Sequence, residues 1–301
     1  MMNTTPTNDM NFPCWPPART LNAGGRLIDL SRPVVMGILN ATPDSFYAAS
    51  RAQGERAIAA RADEIVAQGG GIIDVGAFST RPGAAEVDEA EEMERLRCAL
   101  RVVRNCQPDA VVSVDTFRPD VARMAVEEFG AAIINDVSEG GVGTVAGTAP
   151  LEEGEGVPPM FAMVARLGVA YVLMSVRATV GEMLTVFARK VAQLHSLGVA
   201  DVILDPGFGF GKSMEQNYQV MAQLPKLGVT GLPLLVGVSR KSMLTRLLGC
   251  TAEEALNATS ALHAVALLHG ASVLRVHDVS PAVEVCRVVE QLRGSSAAPI
   301  E

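Results

Sequence analysis

Eight short apolar runs, each followed by a stretch with helical spacing, constrain what this chain can fold into. The runs are rich in β-branched residues and lie at 34–40, 71–76, 111–115, 131–137, 169–174, 201–206, 234–239 and 272–278. The stretches between them are rich in Ala, Glu, Leu and Arg, for example 53–68, 86–104, 180–197 and 252–269. Continuous apolar strands separated by amphipathic helices indicate a parallel sheet covered by helices. Eight such units predict an α/β fold, the (β/α)8 or TIM barrel, which usually takes ~250 residues.

A doubly wound open sheet is the structural alternative. The dinucleotide-binding form of that fold carries a glycine fingerprint after its first strand, and none follows residues 34–40. The count of eight runs also favours the barrel. Ahead of them, "RTLNAGGRLIDL" (19–30) predicts a β-hairpin, because two short apolar stretches flank Asn-Ala-Gly-Gly.

The same alternation of strands and helices predicts the domain organisation. Residues 1–18, rich in Pro, Asn and Thr, predict a flexible N-terminal arm, and 19–295 predict a single barrel domain. Residues 296–301 predict a flexible C-terminal tail. The glycine-rich segment 139–159 breaks this alternation, so we expect it to be an exposed insertion after the fourth barrel strand, with room for a short helix of its own.

Charge and cysteine usage narrow the class of function. The net charge of −8 argues against nucleic-acid binding. No apolar run approaches the roughly 18 residues that a membrane span requires, and no secretory signal is expected. The five cysteines form no Cys-x-x-Cys pair, which argues against a zinc site or a disulfide framework and predicts a cytoplasmic protein.

The stretch "DVILDPGFGFGKS" (201–213) resembles a phosphate loop but fits neither familiar glycine template. A Walker loop needs glycine five positions before the Gly-Lys pair, where Pro206 stands. The dinucleotide pattern fails because its last glycine position is Lys212. We therefore expect no nucleotide here.

Nearly every predicted strand ends in a polar side chain, and barrel enzymes build their sites at those ends. The residues are Asn40, Asp74, Asp115, Asn135, Asp136, Ser175, Asp205, the run Ser239–Arg240–Lys241, Arg275, His277 and Asp278. Asp74 and Asp136 are interpreted as helix caps or turn residues.

The other polar residues suggest a ligand with two faces. Asp115, Asn135 and Asp205 suit the edge of a flat heterocycle with several N–H donors, and a deep carboxylate also stabilises cationic charge on such a ring. Asn40, Arg275 and His277 suit a phosphate or pyrophosphate. Arg275 and His277 alternate along a strand, so both are expected to point the same way.

Two loops are expected to close over that ligand, "NATPDSFYAAS" (40–50) and "AFSTRPGAAE" (77–86). In the second, Ser79, Thr80 and Arg81 suit binding of a carboxylate or closure over a substrate. No Ser-His-Asp order, HExxH motif or close His/Cys set is present, so hydrolysis by a protein nucleophile or a bound zinc is poorly supported.

Seven motifs occur in the order typical of the dihydropteroate synthases, a family of pterin-binding barrels. They are "MGILNATPDSF", "STRPG", "SVDTF", "INDVS", "DPGFGFGK", "SRKS" and "RVHDV". The resemblance runs from about Gly24 to Arg293. It implies a folate-pathway transferase that joins 6-hydroxymethyl-7,8-dihydropterin diphosphate to 4-aminobenzoate with magnesium, acting as a homodimer on small-molecule substrates.

The resemblance also implies roles for single residues. Asp115, Asn135, Asp205 and Lys241 resemble pterin contacts, and Asn40, Arg275 and His277 resemble the diphosphate and magnesium site, with Asn40 toward the metal. Asp115, Lys241 and Arg275 would be catalytic. Thr80, Arg81, Ser239 and Phe210 resemble residues near the aminobenzoate or the closing loops, and Asp44 and Ser79 would take part in loop closure.

The implied mechanism is electrostatic. Pyrophosphate would leave, and the aryl amine would attack the resulting pterin methylene cation. The protein would stabilise that cation, hold the leaving group and exclude water. No essential general base is expected among the four histidines.

The chain departs from the family pattern in three places. Ala77 and Phe78 stand where the family has Gly-Glu, Ser175 stands for a histidine, and "SFYAAS" replaces a Ser-Asp-Gly-Gly type of continuation. Two alternatives therefore stay open: a pterin-dependent methyltransferase module, and a pterin-binding paralogue without synthase activity.

Overall fold

The architecture described below is that of a computed structural model. It describes residues 20–41, 51–77, 87–140 and 156–296. The predicted arm at 1–18, residues 297–301 of the predicted tail, most of both predicted closing loops and the middle of the predicted insertion lie outside these ranges.

Ten strands appear in these ranges, and eight of them form one parallel sheet. A separate hairpin comprises β1 (Thr20–Ala23) and β2 (Arg26–Asp29). The sheet strands are β3 (Val34–Asn40), β4 (Ile72–Gly76), β5 (Val111–Asp115), β6 (Ile133–Asp136), β7 (Ala170–Met174), β8 (Val202–Asp205), β9 (Leu235–Val236) and β10 (Val273–Val276). All eight coincide with the predicted runs: β3 and β5 match their full length, and the other six are shorter at one or both ends.

The sheet closes into a barrel. Its strands are ordered β8-β7-β6-β5-β4-β3-β10-β9, and a parallel bridge between Leu204 and Leu234 joins the two outer strands. The amide of Leu204 donates a hydrogen bond to the carbonyl of Pro233 at 2.9 Å. The (β/α)8 barrel is confirmed, and the open-sheet alternative is wrong.

Nine helices of the described chain surround the strands. They are α1 (Arg51–Ala67), α2 (Glu89–Cys106), α3 (Pro119–Phe129), α4 (Pro159–Leu167), α5 (Val180–Ser196), α6 (Met214–Gln223), α7 (Ser242–Leu248), α8 (Leu256–Leu268) and α9 (Val279–Ser296). A 3-10 helix spans Leu224–Thr230. Residues 252–255 were predicted to start α8, but they form a turn in which the Glu254 carboxylate accepts the Thr251 amide at 2.9 Å.

The predicted hairpin is confirmed and plugs the N-terminal end of the barrel. Gly24 and Gly25 turn it with φ of 61° and 85°, as the tight hairpin turn between β1 and β2 requires. Leu21, Ala23 and Leu30 pack with Met36 and Ile72 in one buried cluster. The lower barrel is therefore apolar and filled.

The side chains of each strand alternate between the barrel interior and the helix layer. On β5, Val112 and Val114 belong to the large core under the helices. Ser113 and Asp115, at the alternate positions, point into the barrel. Because the hairpin and its neighbours fill the lower interior, polar side chains collect in the upper part, near the carboxyl ends of the strands.

Candidate active site

Five strands contribute one polar cluster to the upper barrel. The side chains are Asp74 on β4, Asp115 on β5, Asn135 on β6, Asp205 on β8 and Arg275 on β10. The sheet register sets neighbouring members at similar heights, since Asp115 pairs with Asn135 and with Gly76. Short hydrogen bonds join four of the five.

Arg275 is the centre of this cluster. Its Nε donates to Asp74 Oδ2 at 2.6 Å, and its NH2 group donates to Asp115 Oδ2 at 2.6 Å. Burial disfavours the cation, but Asp74, Asp115 and Asp205 outweigh that cost and raise the pKa of Arg275. The sequence predicted acids that bind a ring and, apart from them, a basic pocket for a diphosphate. The structure instead sets the arginine among the acids, because buried carboxylates need a compensating charge.

The interpretation of Asp74 as a cap or turn residue is wrong. Its side chain is fully buried, and its Oδ2 accepts from Arg275 and, at 3.1 Å, from Asn135 Nδ2. Its Oδ1 is buried without a hydrogen-bond partner among the described residues. Since the amide nitrogen of Asn135 is held by Asp74, the amide oxygen is left as an acceptor.

Asp136 does have the predicted turn role. Its Oδ1 accepts the Ser138 amide at 2.7 Å, and its Oδ2 accepts the Gly140 amide at 2.9 Å. The side chain faces the helix layer and not the barrel interior. On that side the Tyr171 hydroxyl donates to its Oδ2. Only one of the two aspartates read as turn residues therefore belongs to the site.

Asp205 begins the glycine-rich loop and belongs to the same site as Arg275. Its Oδ1 accepts the Gly207 amide at 2.7 Å. Burial raises the pKa of Asp205, while the Gly207 hydrogen bond, Lys241, Lys212 and Arg275 counteract that rise. The charges of Asp205 and Arg275 thus act on each other inside the same barrel.

Gly207 shows why this loop contains glycine. Its φ is 66°, and a Cβ at this position would lie 2.2 Å from the carbonyl oxygen of Ser175 at the end of β7. The glycine lets the loop backbone dock on the neighbouring strand, so packing explains its place in the loop.

Lys241 and a group of apolar side chains flank the acids. The Lys241 ammonium lies 4.3 Å from the centroid of the Phe210 ring, a cation–π arrangement. A small apolar cluster follows the ends of four adjacent strands and consists of Phe117, Val137, Met174, Val176 and Phe210. An apolar wall beside hydrogen-bonding acids suits a flat, polar-edged ring.

The charge state of Asp115 is set by opposing effects. Burial raises its pKa to about 7, Arg275 counteracts this rise, and Asp74 and Glu92 add to it. The ion pair with Arg275 at 2.6 Å shows that the carboxylate form is the one this geometry holds. The site therefore keeps a negative charge near neutral pH that is easily lost on acidification.

The outer rim holds Ser239, His277 and Asn40. His277 Nδ1 lies 3.2 Å from Ser239 Oγ, and the His277 amide donates to the same hydroxyl at 3.2 Å. His277 follows the end of β10. Asn40, exposed at the end of β3, faces Asp115 across Gly76, because Asn40 Oδ1 and Asp115 Oδ2 each lie 3.8 Å from a Cβ built on that glycine.

Arg240, between Ser239 and Lys241, turns away from the cluster. Its guanidinium makes two hydrogen bonds to Asp278, at 2.9 and 2.6 Å, and its φ is 56°. Left-handed backbone is strained for a non-glycine residue. The pair therefore holds the turn that presents the residues on either side of Arg240.

Several residues of this region were missed by the sequence analysis or had no assigned role. Ser175, one of the departures, is buried and donates to Glu139 Oε1 at 2.8 Å. Glu139 also accepts from the buried Lys190. Glu139 has a φ of 58° in a segment read only as an insertion, so no local pattern marked it.

The remaining predicted residues lie outside the described ranges. They are Asp44 in the first loop and Phe78, Ser79, Thr80 and Arg81 in the second. Ala77 is described, and its carbonyl accepts from Arg95 at 3.3 Å.

No group of three or more His, Cys, Asp or Glu side chains within the described ranges is arranged to hold a metal ion. The helices in the same ranges include none with the length and apolar character needed to cross a membrane.

Comparisons with known proteins agree on one family. Residues 36–277 match the family model described as pterin binding enzyme. Dihydropteroate synthase of Escherichia coli K12 is 38% identical over 285 residues, covering 90% of this chain and 95% of that protein. The Synechocystis enzyme of the same name is 36% identical over 289 residues, covering 90% and 94%.

Solved structures give the same result. Xanthomonas albilineans dihydropteroate synthase with 4-aminobenzoic acid matches with a TM-score of 0.79 and 34% identity, over 94% of this chain and 100% of that one. The Thermus thermophilus enzyme in complex with 4-aminobenzoate matches with a TM-score of 0.75 and 35% identity, over 91% and 100%.

Proposed function

The chain belongs to the pterin-binding enzyme family, and from that premise we propose how its barrel rim carries out the dihydropteroate synthase reaction. The function is that of a transferase of folate biosynthesis, which joins 6-hydroxymethyl-7,8-dihydropterin diphosphate to 4-aminobenzoate and releases pyrophosphate. The observation that carries the residue assignment is the Asp74–Arg275–Asp115 ion-pair chain at one barrel mouth, with Asp205 and Lys241 beside it.

The interior acids are proposed to bind the pterin. Asp205 and the oxygen of Asn135 accept N–H groups of the ring edge, while Phe210 and its apolar neighbours cover the ring face. Burial of Asn135 and Asp205, which are 2% and 8% exposed, supports this assignment, because hydrogen bonds made away from water discriminate strongly between ligands.

Asp115, Lys241 and Arg275 are proposed to be catalytic. As pyrophosphate leaves, positive charge develops on the pterin methylene, and the Asp115 carboxylate stabilises it. Arg275 keeps Asp115 ionised and oriented. Lys241 and Arg275 offset the negative charge that gathers on the leaving group. The neutral aryl amine attacks the methylene without prior deprotonation, and the ammonium formed loses its proton to the released pyrophosphate or to solvent after the C–N bond is made. Positioning and exclusion of water supply the remaining rate acceleration.

The diphosphate is proposed to lie at the outer rim, near Asn40, His277 and Ser239. Magnesium is usually held by one or two protein oxygens together with phosphates and waters. Asn40 Oδ1, exposed and facing Asp115 across Gly76, fits such a metal arriving with the diphosphate. When bound, magnesium would neutralise charge on the departing pyrophosphate.

The aminobenzoate half of the site is proposed from the same premise. Ser239 and Phe210 border the cluster, and Thr80, Arg81, Ser79 and Asp44 are proposed to complete the pocket or close it. The support lies in the Xanthomonas structure with 4-aminobenzoic acid and the Thermus structure in complex with 4-aminobenzoate.

The decisive experiment is an assay for pyrophosphate release that depends on aminobenzoate. We expect release from the pterin diphosphate only when both substrates and magnesium are present. Binding of the diphosphate without turnover would indicate an inert paralogue, and indifference to the diphosphate would indicate a methyltransferase module. Either result would contradict the proposal.

A homodimer is proposed through helices α7, α8 and α9. Among the described residues, large exposed apolar side chains concentrate there: Leu247, Leu248, Leu256, Val288 and Leu292. Exposed apolar side chains of this kind mark association surfaces. Sedimentation should give a dimer for the wild type and a monomer for Val288→Glu, while Val229→Glu on the 3-10 helix should stay dimeric. A wild-type monomer would refute this.

A domain plan of arm, barrel and tail, and a cytoplasmic location, are proposed as well. Within the described ranges, the thiols of Cys106, Cys250 and Cys286 form no disulfide, which supports a reducing compartment.

A further inference from the structure

Lys212, the last residue of the glycine-rich loop, points back into the loop that it ends. Its Nζ donates to the carbonyl oxygens of Gly207 at 2.9 Å, Phe210 at 3.1 Å and Ser175 at 3.0 Å. An ammonium has three protons, so these acceptors use its full donor capacity. Two acceptors belong to the loop and one to the end of strand β7, which means that the lysine joins the loop to the barrel wall.

Two further hydrogen bonds hold the backbone of the same loop. The Gly209 amide donates to Asn217 Oδ1 at 2.8 Å, and the Phe210 amide donates to the Gly207 carbonyl at 3.1 Å. Gly207 lies against the Ser175 carbonyl too closely for any side chain. Asn217 therefore holds the outer side of the loop and Lys212 the inner side.

The loop carries two residues of the proposed pterin site. Asp205 precedes it and accepts the Gly207 amide, and Phe210 lies within it under the Lys241 ammonium. A shift of the loop away from β7 would move both residues. The three hydrogen bonds from Lys212 to carbonyl oxygens therefore help to fix the positions of Asp205 and Phe210 relative to a bound ligand.

The charge of Lys212 matters as much as its contacts. Burial lowers the pKa of Lys212 to about 8. The negative charges of Asp205 and Glu139 oppose this decrease, and the positive charge of Lys241 increases it. These charged groups come from the ends of β8 and β6 and from the turn before α7. Lys212 is thus protonated at neutral pH and titrates in a mildly alkaline range.

We infer that Lys212 is a positioning residue for this reaction: its ammonium holds residues 206–211 against strand β7 and so sets Asp205 and Phe210 for the pterin. The inference rests on the proposed function of the same site. Loss of the proton removes one donor and the positive charge that offsets Asp205. Pterin binding and turnover should therefore weaken as the pH rises through about 8.

The test uses the full-length protein and three variants. Lys212→Arg keeps a positive charge that does not titrate in this range, and Lys212→Met keeps the length of the side chain without charge or donors. Lys226→Met is the matched control, because Lys226 is exposed and its Nζ donates to Gln223 Oε1 at 2.9 Å.

The main readout is the Kd for 6-hydroxymethyl-7,8-dihydropterin from pH 6.5 to 9.5, measured by the fluorescence of the ligand. We expect the wild-type Kd to rise about tenfold across this range, as for loss of one charged hydrogen bond. The Kd of Lys212→Arg should stay nearly constant over the same pH range. Lys212→Met should bind about tenfold more weakly at pH 7, without further dependence on pH. Ionisation of the ligand changes the Kd of every variant in the same way. The difference in pH dependence of the Kd between wild type and Lys212→Arg therefore reports the titration of Lys212 alone.

Two outcomes would overturn the inference: equal pH dependence in wild type and Lys212→Arg, or wild-type affinity in Lys212→Met at pH 7. If Lys212→Met does not fold, the comparison with Lys212→Arg decides alone. A wild-type Kd that is constant to pH 9.5 overturns the inference without any variant. Because this readout needs no turnover, pterin binding without aminobenzoate-dependent pyrophosphate release would refute the proposed function separately.

Discussion

The barrel interior and the outer rim hold their polar residues in different ways. In the interior, Asp74 and Asn135 are almost completely buried, and Arg275 is tied to two carboxylates at 2.6 Å. On the rim, Asn40 is exposed, and His277 meets Ser239 at 3.2 Å. The interior is thus organised before a ligand arrives, at a cost in buried charge. The hydrogen bonds between His277 and Ser239 on the rim are longer than those that hold Arg275 in the interior.

The first prediction removes the charge at the centre of the interior. Arg275→Met should abolish detectable turnover and destabilise the fold by ~3–5 kcal/mol, because Asp74 and Asp115 would be left uncompensated. Urea unfolding and the pyrophosphate assay measure the two effects. The control is Arg97→Met, which breaks an equally short pair with Glu128 at the surface, where exposed pairs contribute little. Similar stability losses in both variants would mean that the buried interior pairs stabilise the fold no more than an exposed surface pair does.

The sequence predicted the fold more completely than it predicted this cluster. The eight runs identified the strands because buried parallel strands are continuously apolar. The positions of Asp115, Asn135 and Asp205 followed because barrel sites collect at strand ends. Asp74 was misread, because a turn role can be judged from neighbouring residues, whereas its partner Arg275 lies 201 positions away. Lys212 was noted only as a mismatch to a motif, since its three carbonyl partners depend on how the loop docks on β7.

The second prediction separates catalysis from leaving-group binding. Asp115→Asn should lower kcat by about 10²–10³-fold, because a neutral amide cannot stabilise the developing cation. The Kd for pyrophosphate, measured by calorimetry, should hardly change. Asp109→Asn is the control, since Asp109 is exposed just before the opposite end of strand β5. Equal losses in turnover and in pyrophosphate binding would contradict the role assigned to Asp115.

The third prediction concerns pH. The pKa of Asp115 is raised to about 7, so its carboxylate prevails above that pH and is lost below it. With the neutral acid inactive, kcat should fall about fivefold between pH 7 and pH 6, from about half of its maximum to about a tenth. Stopped assays with saturating substrates in overlapping buffers measure this. Constant kcat down to pH 5 would mean that the interior does not depend on an ionised Asp115.

The smallest effect is expected on the rim, from His277→Gln. Glutamine keeps a donor near Ser239, so the fold should be unchanged. The KM for the pterin diphosphate should rise about fivefold, as for one weakened hydrogen bond to a charged group. The kcat should stay within about threefold of the wild-type value, because the proposed mechanism includes no proton transfer by His277. His195→Gln, on an exposed position of α5, is the control. A loss of kcat beyond a hundredfold, together with a changed pH profile, would mean that the rim supplies a general base, and the division between an electrostatic interior and a binding rim would have to be given up.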